Sequence, residues 1–185
     1  MFRRCMLGLV MTLFIAVAAG AQDIESGPTK SEKVPALKVF DATGSFKDKD
    51  IDYAAERKEK PTIYILIQAD KWTRPMARFL KKLDEAVKKD VEDGYLVAVW
   101  LTDDTDKTKE YLPIAQQSLN LEATALTCFT GEKAGPKGWN ANDMAHITVA
   151  VVNKGKVTAT FGYASINDTE VRKVMAALKK GLGQE

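Results

Sequence analysis

The residues with the clearest chemical potential lie in one short stretch, Trp72-Thr73-Arg74-Pro75-Met76, called here the 72–76 segment. Trp72 offers aromatic area, Arg74 a charge with several donors, and Met76 an adaptable apolar contact. Thr73 adds a hydroxyl, but neither threonine nor methionine can supply the thiolate that disulfide exchange requires. These residue types could form a binding surface, although the arrangement in which Trp72 and Met76 pack inward and Arg74 is solvated is favoured.

Two further side chains could take part in chemistry. Cys128 is the only cysteine after residue 21, and its apolar neighbours favour a buried, inert thiol. A reactive Cys128 would need exposure beside cationic groups. His146 is the only histidine and could act as a base for a Thr73 nucleophile, although an isolated histidine is usually structural. One histidine and one cysteine do not make a zinc site, so no metal is expected.

Two loops carry residues with more than one interpretation. The run 103–106 is rich in aspartate and could attract calcium, but it lacks the glycine and the distal glutamate of a calcium loop, so a helix start is favoured. The loop 130–143 is rich in glycine, lysine and asparagine and contains Trp139. We expect Trp139 either to cap the core or to close over the 72–76 segment, where it would join the candidate binding residues.

Residues 1–21 have the basic start, apolar run and small-residue cleavage site of a signal peptide. We therefore expect an exported protein, periplasmic or extracellular, whose mature chain has no membrane span. Cleavage would remove Arg3 and Arg4 from the 27 Lys and Arg, leaving a number equal to the 25 Asp and Glu. A neutral domain is a poor nucleic-acid binder, because that affinity comes mainly from neutralising phosphates. No nucleic-acid partner and no cofactor are expected.

The remaining residues predict one domain. Residues 22–33 are polar and predict a flexible leader, 34–185 are enough for a substantial core, and 47–60 are charged and predict a surface segment. Apolar periodicity predicts strands over 34–44 (an edge strand), 62–67, 95–101, 124–129, 147–152 and 157–161, and helices that start near Pro75, over 107–119 and after Asn167. A right-handed crossover makes the first core strands parallel, and the last two form a hairpin, so a mixed sheet with helices on both faces follows.

This order and two local motifs resemble the thioredoxin-like superfamily. The first motif is a strand, the 72–76 segment and a helix, which resembles the strand–Trp-Cys-Gly-Pro-Cys–helix segment of thioredoxins. The second resembles the family's Gly-Ile-Pro-Thr strand, turn, strand and glycine, here formed by residues 145–152, 153–156, 157–161 and Gly162. The first strand and residues 98–104 are more similar to the redoxin and peroxiredoxin branch. The resemblance covers 34–182 and implies an α/β fold, a three-layer α/β/α sandwich with a mixed central sheet.

The residues that carry redox chemistry in this family are replaced. In the thioredoxin register the nucleophilic and resolving cysteines fall on Thr73 and Met76. In the peroxiredoxin register the peroxidatic cysteine again falls on Met76, and its preceding proline falls on Ala69. The family's cis-proline falls on Ile147, where we expect a trans bond, since a non-proline cis bond costs about 2.5–4 kcal/mol. The buried carboxylate that assists proton transfer falls on Ile67.

These replacements lead to one main hypothesis and two alternatives. The main one is an exported thioredoxin-fold module without redox activity that binds a protein, peptide or small molecule. Its site would include Trp72, Thr73, Arg74, Met76 and residues of the loop before Ile147, where Trp139 and His146 lie. The first alternative is a one-cysteine oxidoreductase or peroxidase that uses Cys128. The second is a structural component of the cell envelope.

Overall fold

The structure is a computed structural model that describes residues 23–184, so the predicted signal peptide lies outside the described residues. Within that range no helix combines the length and the apolar character needed to cross a membrane. The elements in chain order are β1 (Asp23–Ile24), β2 (Lys38–Asp41), β3 (Lys49–Asp52), α1 (Tyr53–Arg57), β4 (Thr62–Gln68), α2 (Arg74–Asp90), β5 (Tyr95–Thr102), α3 (Thr105–Leu119), β6 (Thr124–Thr130), β7 (Ile147–Asn153), β8 (Lys156–Tyr163) and α4 (Val171–Gly181).

These elements form a mixed eight-stranded sheet in the order β1-β8-β7-β4-β5-β6-β2-β3. The neighbours β4, β5 and β6 run parallel, and every other neighbouring pair is antiparallel. The β7–β8 hairpin turns through Lys154 and Gly155, which both have positive φ angles, as a two-residue hairpin turn requires. The predicted α/β class and mixed sheet are confirmed.

The central strand β4 is apolar along its length because both of its faces are covered. All of its residues are buried. Ile63, Ile65 and Ile67 belong to a core shared with α2, α3 and α4, whereas Tyr64 and Leu66 belong to a second core on the other face. The sequence of a strand that is buried on both faces is a continuous run of apolar residues. This burial fixes where β4 ends, and therefore where the 72–76 segment begins.

The two faces of the sheet are covered by different amounts of helix. The helices α2, α3 and α4 share one face of the sheet, whereas the short α1 and the loops before β2 and β7 cover the other. The reason is geometric, since the chain steps from β4 to β5 to β6 in one direction across the sheet. Two right-handed crossovers in the same direction place their helices on the same face. The predicted sandwich is thus confirmed with a thin second outer layer.

The N-terminal part of the domain differs from the expectations. Residues 23–33, expected to be a flexible leader, pack on the sheet instead: β1 pairs with β8, and the buried Ser26 hydroxyl lies 2.6 Å from the Thr148 hydroxyl. The strand expected at the edge is an inner strand, because β2 lies between β6 and β3. The charged segment 47–60 was expected only at the surface, but it forms β3 and α1 and buries Tyr53. The sequence did not indicate these elements, because short elements at the edge of a sheet contain many charged and few apolar residues.

The later helices begin and end close to the predicted positions. Asp104 accepts a hydrogen bond from the Lys107 N–H at 3.2 Å and caps α3, which confirms the helix-start interpretation of the run 103–106. This helix continues through Pro113 to Leu119, although proline removes one helical hydrogen bond. Thr73 occupies the N-cap position of α2, close to the start expected near Pro75. Its hydroxyl makes no capping bond.

Helix α2 is joined to the sheet by one buried carboxylate. Asp84 lies on the otherwise apolar inner face of α2 and is 2% exposed. It accepts hydrogen bonds from the N–H groups of Glu122 and Ala123 and, at 2.6 Å, from the Thr124 hydroxyl. A buried carboxylate is stable only when its oxygens are fully hydrogen-bonded. Asp84 therefore fixes the start of β6 against α2.

Replacing Asp84 should destabilise the fold. Asp84→Ala leaves the buried donors of residues 122–124 without partners, and we expect a loss of about 3 kcal/mol in the free energy of unfolding. The measurement is urea denaturation at neutral pH, with Glu85→Ala as the exposed neighbouring control. Equal stability of the two variants would show that the carboxylate network contributes nothing.

Candidate functional site

The 72–76 segment lies where the central strand passes into α2. A 3-10 turn at Ala69–Lys71 follows β4 and brings Trp72 to the start of the helix. The Thr73 carbonyl accepts the Ala77 N–H at 3.0 Å, and Pro75 stands in the first helical turn, where its missing N–H has no cost. The backbone of the segment is therefore held between a buried strand and a long helix.

Trp72 is held by two aromatic neighbours. Its indole N–H donates to the Tyr111 hydroxyl at 2.8 Å. Its ring meets Trp100 edge to face, with 4.9 Å between the ring centroids and an interplanar angle of 60°. This geometry is a favourable one for aromatic pairs. Trp72 is half-buried, and it connects the start of α2 with α3.

A groove of about 360 Å³ opens beside Trp72, between the first turn of α2 and the outer side of α3. Its lining residues are Trp72, Thr73, Arg74, Ala77, Tyr111, Ile114, Ala115, Ser118 and Leu119. Ile114 is 64% exposed and Tyr111 39% exposed, so apolar area on α3 faces solvent here. We call this site the Trp72 groove.

The charges near the groove are cationic. Arg74 is exposed and starts α2, and its guanidinium has no ion pair within residues 23–184. The first turn of α2 carries no acidic side chain, so the N–H groups of that turn add positive potential. Lys71 and Lys133 both lie near Asp70, at 3.5 and 3.4 Å. Slight burial opposes ionisation of Asp70, but these two lysines outweigh it and lower the pKa of Asp70.

Three predicted binding residues do not line the groove: Met76, Trp139 and His146. Met76 is 2% exposed and packs in the core beneath α2, so the inward alternative is correct for this residue. Trp139 is fully buried on the opposite face of the sheet. Its indole N–H donates to the Ala36 carbonyl at 3.0 Å, and its ring contacts Tyr64 edge to face. Trp139 thus caps the second core, and the expectation that it closes over the 72–76 segment is wrong.

His146 and Ile147 stand at the start of β7, next to the end of β4. The His146 carbonyl accepts the Gln68 N–H at 3.1 Å, and Ile147 pairs with Ile67. The bond before Ile147 is trans, as expected. His146 is half-buried, and within the described part of the chain no hydrogen bond joins it to Thr73. The Thr73 hydroxyl therefore has no base positioned beside it for nucleophilic attack.

Cys128 lacks the surroundings that activate a thiol. It lies on β6 with 2% exposure and belongs to the core beneath α3. Burial raises the pKa of Cys128 to about 11 and outweighs the opposing effect of Lys109. A reactive cysteine needs a lowered pKa and access to solvent. Among residues 23–184, no group of histidine, cysteine or acidic side chains is arranged to hold a metal ion.

The α3 side of the groove was missed by the sequence analysis. Tyr111, Ile114 and Ser118 recur at helical spacing along α3, next to the core stripe formed by Leu112 and Ala115. A helix that packs on one face needs only one apolar stripe. The additional apolar positions were the available signal that this helix has a second contact surface.

The buried thiol should react slowly with alkylating agents. At pH 8 a pKa of about 11 leaves about one thiol in a thousand ionised, so native Cys128 should be labelled by iodoacetamide far more slowly than in urea. The measurement is mass spectrometry of the peptide that contains Cys128. The unfolded state loses this proton first, so stability should also fall as the pH rises from about 8.5 towards 11. Equal labelling rates in native and urea-treated samples would contradict this assignment.

Comparisons with known proteins identify the fold of this chain. No protein-family model matches the chain, and no curated protein matches its sequence significantly. Solved structures do match it. A peroxiredoxin-like protein from Aquifex aeolicus shares 15% identity at a TM-score of 0.56, over 85% of this chain and 92% of that one. A DsbF homologue from Corynebacterium diphtheriae shares 15% identity at a TM-score of 0.59, over 90% and 99%.

A third structure, the exposed lipoprotein thioredoxin from Streptococcus pneumoniae, shares 15% identity at a TM-score of 0.55, over 79% of this chain and 99% of that one. Identities this low establish a common fold and not a common activity. At the level of the fold, the predicted resemblance to the redoxin and peroxiredoxin branch is confirmed. This chain has a thioredoxin-like fold. The assignment of the family's reactive-cysteine positions to Thr73 and Met76 stays a prediction from the sequence.

Proposed function

We propose that this protein is an exported binding module without redox activity that holds a peptide segment of a partner protein in the Trp72 groove. One observation carries the proposal: an apolar groove lined by Arg74, whose guanidinium has no ion pair within residues 23–184, opens beside the 72–76 segment. In the predicted register, this segment stands where thioredoxin-like proteins carry reactive thiols. The predicted signal peptide supports export. The lipoprotein among the structural neighbours agrees with an extracytoplasmic role.

The absence of a usable thiol supports a role other than catalysis. In the predicted register, a threonine and a methionine stand at the two cysteine positions and Ile67 at the proton-acceptor position. Met76 and Ile67 are both buried among apolar side chains. The remaining thiol, Cys128, is buried in the core beneath α3. Disulfide exchange begins with attack by a thiolate, so none of these residues can start it.

The groove's chemistry supports a ligand with an apolar side chain beside an acidic group. The volume of about 360 Å³ is at the small end for ligand sites, which suits one leucine- or phenylalanine-sized side chain. Arg74 and the positive end of the α2 dipole favour a nearby carboxylate. A rigid aromatic anchor such as Trp72 is common at the centre of protein interfaces.

The protein should not catalyse disulfide reduction. In an insulin-reduction assay with dithiothreitol, we expect the rate of dithiothreitol alone, with thioredoxin as the positive control. Turnover that persists in Cys128→Ser would refute the account of the 72–76 segment. Turnover lost in Cys128→Ser would instead support the one-cysteine alternative.

A charge placed in the groove should weaken peptide binding. Ile114→Asp adds a carboxylate to an exposed apolar position, and we expect about tenfold weaker binding of peptides with one leucine beside a glutamate, a loss of about 1.4 kcal/mol. Fluorescence anisotropy with labelled peptides measures it. Gln117→Asp is the matched control, since residue 117 is exposed on the same helix outside the groove. Peptides that bind both variants equally, or that never bind the wild type, would contradict the site.

A further inference from the structure

A second groove lies at the other end of the sheet from the 72–76 segment. Its walls are α1, the strand-like segment before β2 and the turn at Lys154–Gly155 that joins β7 to β8. These elements stand at the beginning of β4, whereas the 72–76 segment follows its end. The groove measures about 870 Å³, against about 360 Å³ for the Trp72 groove, and lies within the range of small-molecule sites.

Backbone hydrogen bonds hold the walls of this groove together. The Val34 N–H donates to the Gly155 carbonyl at 2.9 Å, and the Lys154 N–H donates to the Glu59 carbonyl at 3.1 Å. Next to them the Val157 N–H donates to the Glu32 carbonyl at 2.9 Å. Three separate parts of the chain therefore meet at one hairpin turn. The groove is pre-formed, so a ligand would not have to order it.

The interior of the groove is aliphatic. Its apolar lining residues are Val34, Pro35, Ala36, Ala54 and Ala55. Neither an aromatic nor an arginine side chain lines it, so it offers no ring for stacking a base or a sugar and no guanidinium fork for a phosphate. Such a lining suits an alkyl chain.

The rim of the groove is cationic. Its exposed lysines are Lys33, Lys58, Lys154 and Lys156. Their ammonium groups form no ion pair or hydrogen bond within the described part of the chain. The lining also contains two acids, Asp52 and Glu59. Asp52 accepts the N–H groups of Leu37, Ala54 and Ala55 and keeps its negative charge, so the four lysines outnumber the carboxylates by two. The whole chain has a formal charge of only +2, so this concentration of unpaired positive charge is local.

From the aliphatic interior and the unpaired lysine rim, we propose that this groove binds a free single-chain amphiphilic anion, such as a fatty-acid carboxylate. The chain would lie along the aliphatic interior and the carboxylate would meet the rim lysines. Lysines act as mobile point charges, so the site tolerates variation in the head group. This site is independent of the Trp72 groove and of the peptide ligand proposed for it.

The test measures binding of dodecanoate, below its micelle concentration, to the purified protein by isothermal titration calorimetry. Affinity should fall as salt rises and should increase up to about fourfold for each methylene from octanoate to dodecanoate. Lys33→Glu with Lys156→Glu should weaken binding about tenfold; both residues avoid the positive φ angles found at Lys58 and Lys154. Lys47→Glu with Lys107→Glu is the charge-matched control, since both lysines are exposed outside the groove.

Several outcomes would overturn the proposal. Equal binding of dodecyltrimethylammonium would show that charge is irrelevant, and equal affinities of the two double variants would place the ligand elsewhere. Binding of hexaglutamate but not of dodecanoate would assign the rim to an acidic peptide. Binding only to vesicles that contain phosphatidylglycerol would assign it to a membrane surface. Ile114→Asp should leave dodecanoate binding unchanged, which separates failure here from failure of the Trp72 groove.

Discussion

The strand β4 is confined on every side, because it has hydrogen-bonding neighbours on both edges, β5 and β7, and cores on both faces. The positions of both grooves follow from this confinement. A strand confined in this way cannot slip in register without moving every apolar side chain to the wrong face. The chain must therefore leave the sheet at Gln68 and enter α2 at Arg74. The segment between them is displayed at one end of the sheet whatever side chains it carries.

Under the proposed function, the same constraint lets a thioredoxin-like scaffold keep a binding site here without reactive thiols. Reactive thiols contribute little to packing, whereas Trp72 bridges Trp100 and Tyr111 by ring contact and hydrogen bond. Replacing thiols by threonine and methionine leaves that bridge intact, and the methionine adds apolar contact to the core. The resulting surface is shaped, cationic and partly apolar, and these are the features that the proposed peptide binding needs.

Long, strongly periodic segments were predictable from the sequence. The run 62–67, the hairpin around Gly155 and the inner face of α2 all follow from periodicity and turn chemistry. The other features depend on contacts between residues that are distant in the sequence. Asp84 resembles a solvated helix acid, yet it is buried, because the donors it satisfies lie 38 to 40 residues away. Trp139 resembles a surface aromatic because the core that it caps belongs to distant strands. The lysine rim comes from segments that adjoin only in the folded state.

The pairing of β1 with β8 has a consequence for the order of folding. Asp23 is opposite Tyr163 and Ile24 is opposite Gly162. The strand β1 can therefore pair only after the β7–β8 hairpin has formed. Contacts across so much of the chain form late, because the entropy of closing a long loop must be offset first. During synthesis, the start of the domain must wait unpaired until nearly all the remaining residues have been made.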